Sequence, residues 1–523
     1  MPVARALLRA VSRLVSTPPD FMANHNRTYD IVIVGSGAGG GTVAQELSPL
    51  CRRGMRIAVL EKGPRLRDEE FTGRELEMAG ALYEDGGGFL TADGAMTIAF
   101  GCAYGGSTVV YTGTSMLPPE RVIDKWSVPG LTHADLDCRA RKFMTENNAH
   151  FVEDGLINEN NKLFVEGCRK LNYDVQQFPV NIKGCRGSSL CNLGCPNQAK
   201  QGTDRVQLPR AERNGVEVVT RCQVLTVGEK TLAVRVAAKP AGAKGDASPW
   251  EPGDYQIDAK IIVLCAGAVN TPALLLRSGM GRSLPRLGYG FTSHPAFIIV
   301  GEHTRPITNF VGHPKSYYLD LAESDHFVLE TCMYFPFITA KSLAGFGAPH
   351  SAFMRAFPRL QMILVLACDE ADGHNRIAID KAGRPVVHYR FQAKAVVGLM
   401  CGAFTAAEIL FAAGAARVHM PVARNTTIEA ADAARLPEIA AAAEFQPGKT
   451  PVSAAHPQGG CGMGSGPTDS VTDSYGRVHG LPWLFVADAS LFPNSLEINP
   501  YVTVMALADR VAQRIREEVP ALL

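Results

Sequence analysis

The sequence predicts an α/β protein in which a Rossmann-like domain is interrupted by an inserted α+β domain containing an antiparallel sheet. Three observations carry this. Residues 29–47 read as buried strand, glycine turn and helix, and residues 259–279 repeat that order far along the chain. Residues 316–336, 359–367 and 375–391 read as strands, some alternating in polarity as a sheet with unlike faces requires. The order of these pieces assigns residues 29–292 and 452–523 to the first domain and residues 293–451 to the insertion, with residues 1–28 as an amphipathic leader. At 523 residues the chain is long enough for two cores.

The first unit carries the sharpest local signal. Gly35 permits a tight turn, Gly37 lets a pyrophosphate approach the backbone, and Gly40 lets the helix pack on the strand. Phosphates would meet a helix amino terminus, whose free N–H groups and dipole favour anions. The next strand ends in Glu61, 21 residues after Gly40 and suitably placed to accept from a ribose diol. Nicotinamide and flavin dinucleotides share this unit. Flavin is favoured by a second glycine-rich turn, Gly101–Tyr111 with Gly105, Gly106 and Ser107, which suits backbone packing on a flat ring.

Composition narrows the partners. Lys and Arg total 52 against 51 Asp and Glu, a net charge of +1, and no basic patch is interleaved with aromatic residues, so no nucleic-acid partner is expected. Thirteen cysteines in a chain of this size do not resemble a secreted disulfide framework, and a reducing, cytoplasmic setting is expected. Arg5, Arg9 and Arg13 alternate with apolar residues at helical spacing across residues 1–16. This stretch reads as a surface helix, a peripheral membrane anchor or a transit-type leader. Residues 395–416 match a membrane span in length, but their small side chains and internal Glu408 favour a buried helix.

Near the carboxy terminus, His456 stands in the Gly-rich stretch Ser453–Gly464, and Asn499 follows before Pro500 and Tyr501. An imidazole can accept a hydroxyl proton near neutral pH, and a carboxamide can hold the same oxygen without competing for the proton.

With these motifs in this order, the sequence resembles the glucose-methanol-choline (GMC) flavoprotein oxidoreductases from about Tyr29 onward. Its ending is most similar to the cholesterol oxidase and long-chain alcohol oxidase or dehydrogenase branches, whose second catalytic position is Asn. The resemblance implies FAD, with its ADP half at Gly35, Gly37, Gly40 and Glu61 and its adenine near the backbone of Val224, in a strand expected across 216–227. It further implies Asp488 at the ribityl chain, and Gly106, Ser107, Pro500 and Tyr501 around the isoalloxazine. His456 becomes the base or hydrogen-bond partner of a substrate hydroxyl, Asn499 its aligner, and flavin N5 the hydride acceptor. Tyr111 stands where many members have Asn. Glu330 and Glu370 are candidates for an additional carboxylate, with a salt-bridged or surface role favoured for each.

The expected activity is oxidation of a hydrophobic primary or secondary alcohol to an aldehyde or ketone, with oxygen, a quinone or a cytochrome as acceptor. The alternatives are a lyase on the same fold, such as a hydroxynitrile lyase, and a flavin electron-transfer subunit. Cys185, Cys191 and Cys195 form the densest thiol group. They read as packed free thiols, with an iron–sulfur site as the second reading.

Overall fold

The computed structural model describes Phe21, Ala23 and residues 25–424 and 426–522; the amphipathic stretch expected at 1–16 lies outside the described residues. Strand His25–Val34 pairs in parallel with Ile57–Leu60 on one side and with Gly253–Leu264 on the other. Glu217–Val219 extends the sheet beyond Ile57–Leu60. The far edge of Gly253–Leu264 is divided: Thr231–Val236 pairs antiparallel with its first half, and Leu484–Val486 pairs parallel with its end. Strands covered on both faces need unbroken apolar runs, and residues 31–34, 57–60, 261–264 and 484–486 supply them, all buried.

Two boundaries differ from expectation. The first strand starts at His25 inside the expected leader, because residues 25–28 continue the ladder with Tyr255–Asp258. The strand expected across 216–227 is two strands, Glu217–Val219 and Cys222–Val227. Arg221 at φ +53° turns the chain between them, out of the parallel sheet and into an antiparallel meander.

The second sheet is built on Ala296–Glu302, Leu360–Ala367, Phe327–Thr331 and Tyr317–Leu321, all antiparallel. It also recruits Met96–Ile98 and Val452–Ala454, from either side of the expected insertion, so chain from both expected domains shares it. The alternation of its central strands has a clear physical use. Phe297, Ile299, Ile363 and Val365 point to one face and join a core with helix Ala393–Ala412. Ala296, Ile298, Leu364 and Leu366 point to the other.

Helix Ala393–Ala412 is long and apolar enough to cross a membrane by length and composition, yet it lies on this sheet. Two glycines one turn apart allow the approach. A Cβ on Gly398 would sit 2.2 Å from the His326 carbonyl oxygen, and one on Gly402 would sit 2.5 Å from Val365 Cγ1. The helix stops before residue 416 because Gly414 takes φ +91° and Ala416 N–H turns to the Glu302 carbonyl. Gly398→Ala is expected to destabilise the protein by about 1–3 kcal/mol, since the clash is with backbone and cannot be relieved by a rotamer. A lowered midpoint in thermal unfolding of the purified protein checks this.

Candidate active site

The two glycine-rich turns meet. A Cβ on Gly106, which has φ +54°, would lie 2.7 Å from Gly37 Cα. Ser36 is clamped between the turns: its Oγ donates to Glu61 at 2.6 Å and accepts from Gly105 N–H at 2.9 Å. Glu61 also accepts from Ser36 N–H at 3.0 Å and Gly63 N–H at 2.7 Å. Burial pushes its carboxyl upward against these hydrogen bonds. Three of its four acceptor positions are thus filled by the chain, which leaves room for a ribose hydroxyl.

The surroundings fit a dinucleotide. Helix Ala38–Leu47 starts at Gly37 with no side chain capping its first N–H groups. Gly35, at φ +98°, and Gly40 are where the sequence demanded them: a Cβ on Gly35 would strike the Cys265 carbonyl at 2.4 Å, and one on Gly40 the Gly35 carbonyl at 2.0 Å. Val224 stands two residues past Cys222, whose N–H donates to the Glu61 carbonyl, and its own carbonyl accepts from Arg277 at 3.2 Å. Asp488 accepts from Ser490 N–H and Oγ and from Gly267 N–H and Thr271 Oγ1, at 2.5 to 2.8 Å. All four of its acceptor positions therefore serve to tie two turns together.

Beyond the turns opens a cavity of about 290 Å³. Ser107, Pro500 and Tyr501 border it, and His456 and Asn499 lie on the same wall, so sequence-distant expectations converge on one space. Val224, Glu61 and Asp488 do not border it. Ala296, Ile298, Leu364 and Leu366 form an apolar side. Phe337 and Ile338, from helix Pro336–Ser342, also border the cavity, as do Ala79 of helix Glu75–Leu82 and Tyr83 just past that helix. The Glu75 carboxylate accepts from Phe337 and Ile338 N–H at 2.8 and 2.9 Å and so joins the two helices. Phe353 and Phe357 do not border the cavity; they pack with Leu360 and Met362 in the apolar cluster on this same face of the sheet.

His456 Nε2 lies 3.3 Å from the Asn499 side-chain amide. Its Nδ1 lies 2.9 Å from Nδ1 of His294, a residue that sequence reasoning missed. Burial holds the His456 imidazole well below its usual range, reinforced by His294 and Lys315, and burial lowers His294 to about 4. Both rings are therefore neutral around pH 7. A sequence signal for His294 existed. Both histidines immediately precede proline, in His294-Pro295 and His456-Pro457, and a residue before proline is held in extended backbone.

The remaining candidates are also placed. Glu330 forms a buried ion pair with Lys315, which borders the cavity, whereas Glu370 is exposed. Tyr111 borders the cavity, receives a hydrogen bond from Asn181 at 2.5 Å and meets Tyr501 edge to face. Cys185, Cys191 and Cys195 are free, and burial pushes Cys191 up to about 12. Among the described residues, no group of three or more His, Cys, Asp and Glu side chains is arranged to hold a metal ion. Lys200 ties the thiol loop to the second glycine turn through the carbonyls of Cys191, Val109 and Tyr111.

A Rossmann-like sheet, two abutting glycine turns and a cavity ending on a histidine and an asparagine define a flavin-dependent oxidoreductase. Residues 79–296 and 371–508 match the amino- and carboxy-terminal signatures of the GMC oxidoreductases. An uncharacterised GMC-type oxidoreductase of Mycobacterium tuberculosis is 31% identical over 498 residues, covering 93% of this chain and 75% of the relative. A long-chain-alcohol oxidase of Arabidopsis thaliana is 26% identical over 518 residues, covering 93% and 66%. The crystal structure of pyridoxine 4-oxidase from Mesorbium loti shares the fold, with a TM-score of 0.64 at 19% identity over 94% of this chain and 99% of that one. The chain belongs to the GMC oxidoreductases, and FAD is its cofactor.

Gly106→Ala is expected to force the two turns apart. Purified variant should carry less FAD than wild type by flavin absorbance, at unchanged far-ultraviolet circular dichroism.

Proposed function

We propose that this protein oxidises a hydrophobic primary or secondary alcohol to the aldehyde or ketone, with His456 as base. The observation that carries the reading is the cavity itself, whose apolar walls end on His456 and Asn499 beside the second glycine turn. The names of relatives, a long-chain-alcohol oxidase and a cholesterol oxidase of Acinetobacter baumannii, agree with an apolar alcohol. FAD, when bound, supplies the acceptor for the hydride leaving the carbinol carbon. The chain supplies position and proton handling. Asn499 holds the hydroxyl oxygen, and His456 Nε2 takes its proton. The sheet face of Ala296, Ile298, Leu364 and Leu366 excludes water from the apolar part of the substrate.

A panel of long-chain, aromatic and sterol alcohols, scored by anaerobic bleaching of the flavin, tests this reading. Bleaching by at least one class is expected, and cleavage of a cyanohydrin with no bleaching by any alcohol would contradict it. His456→Ala should retain FAD yet reduce it about 100-fold or more slowly, the usual scale of general-base catalysis; stopped-flow absorbance measures this.

The working form of a base is its neutral form, and His456 is held well below its ordinary value by burial. Its contribution is therefore already complete at about pH 6 and persists to about pH 8, being lost as pH falls through the depressed value. The rate of flavin reduction is expected to show no histidine limb in that window, as a pH series of single-turnover measurements will reveal.

A further inference from the structure

The contact between His294 and His456 is unusual because two ring nitrogens of like type face each other. At 2.9 Å between Nδ1 atoms, one ring must carry its proton there and the other must accept it. The opposite nitrogens have different surroundings. His456 Nε2 faces the cavity and Asn499. His294 Nε2 lies 3.2 Å from Ser495 Oγ and 3.3 Å from Gln458 Nε2. The Gln458 amide is oriented by its own network, since Oε1 accepts from Leu496 N–H at 2.8 Å and Nε2 donates to the His456 carbonyl at 3.2 Å.

Two neutral arrangements satisfy this geometry. When His294 donates at Nδ1, its Nε2 accepts from Gln458, and His456 presents an N–H to the cavity. When His456 donates at Nδ1, its Nε2 lone pair faces the cavity, and His294 donates from Nε2 to Ser495 Oγ. A hydroxyl can take either role, so neither arrangement strands a buried ring nitrogen. Nearby charges favour moving positive charge away from the substrate. Lys315 acts on His456 and disfavours a cation there, whereas the Glu497 carboxylate acts on His294 and favours one. Glu497 is itself fixed by Arg121 and Lys394.

We infer that His294 is a positioning residue for proton removal, holding His456 with its Nε2 lone pair toward the substrate hydroxyl and taking over the proton displaced from His456 Nδ1. The inference rests on the alcohol-oxidation reading. The hydroxyl O–H bond breaks as His456 Nε2–H forms, and His456 Nδ1–H breaks as His294 Nδ1–H forms. The carbinol C–H bond breaks with its electron pair, which passes as hydride to the flavin oxidant, while the carbonyl forms. His456 ends neutral, and His294 ends as the cation, donating from Nε2 to Ser495.

Single-turnover anaerobic reduction of the FAD-loaded protein, wild type against His294→Asn, tests this. Asparagine can accept from His456 Nδ1–H through its carbonyl oxygen, which keeps the Nε2 lone pair toward the cavity, but cannot take over the proton. A loss of about 100-fold is expected with FAD content unchanged. The loss should shrink for a more acidic, fluorinated alcohol and at higher pH, where less help with the proton is needed; a packing fault would slow both alcohols alike. In the wild-type protein, nitrogen-15 NMR should show coupling across the Nδ1···Nδ1 hydrogen bond. A variant rate within about threefold of wild type, an equal loss for both alcohols, or absence of that coupling would overturn the inference. Failure of wild-type flavin to bleach with any alcohol would instead overturn the substrate reading.

Discussion

Residues 293–295 and 454–457 face each other between two fixed points of register, Thr292 with Gln458 and Ala296 with Ser453. Three residues on one side oppose four on the other, and Pro295 and Pro457 remove ladder donors within the mismatch. The site depends on this irregular stretch, because it turns His294 and His456 into contact at the point where the sheet gives way to the cavity. Regular pairing would send alternate side chains to opposite faces. Leaving either buried ring nitrogen unpaired would cost about 1–3 kcal/mol, so the network of Gln458, Ser495 and Leu496 is part of what keeps the two rings in place.

The same strand couples the two halves of the molecule. Ala296–Glu302 carries His294 just before its start and directs Ala296 and Ile298 into the cavity, with Phe297 and Ile299 directed into the core beneath helix Ala393–Ala412. On the other side, the close approach of Gly106 to Gly37 fixes the spacing of the two glycine turns. Helix Ala38–Leu47 is held in turn by the carboxy-terminal part of the chain: a Cβ on Gly39 would strike the Ala487 carbonyl at 1.8 Å. The glycine turns, the cavity wall and the paired histidines therefore share few mechanical degrees of freedom, and such rigidity is what positioning chemistry requires.

Much of this was legible in the sequence, for identifiable reasons. The parallel strands announce themselves because burial on both faces demands continuous apolar residues, and Gly35, Gly40 and Gly106 because their backbone or packing excludes a Cβ. His456 and Asn499 were legible from residue chemistry beside glycine and proline. What could not be read was pairing across long separations. His294 lies 162 residues from its partner and carries no motif beyond a His-Pro dipeptide. The break at Arg221 needed a left-handed residue that its side chain does not advertise. The saturation of Asp488 by Ser490, Gly267 and Thr271 depends on turns meeting in space. Glu330 and Glu370 looked equivalent as carboxylates, and burial with Lys315 separates the one from the other.

The central claim is that the carbinol hydrogen of an apolar alcohol leaves as hydride while His456 and Asn499 govern its oxygen. Its most direct test is single-turnover flavin reduction with a responsive alcohol, compared with the same alcohol deuterated at the carbinol carbon. The account predicts bleaching in both cases and a clear primary isotope effect, with the deuterated alcohol slower. Bleaching at equal rates, or none at all, would contradict it.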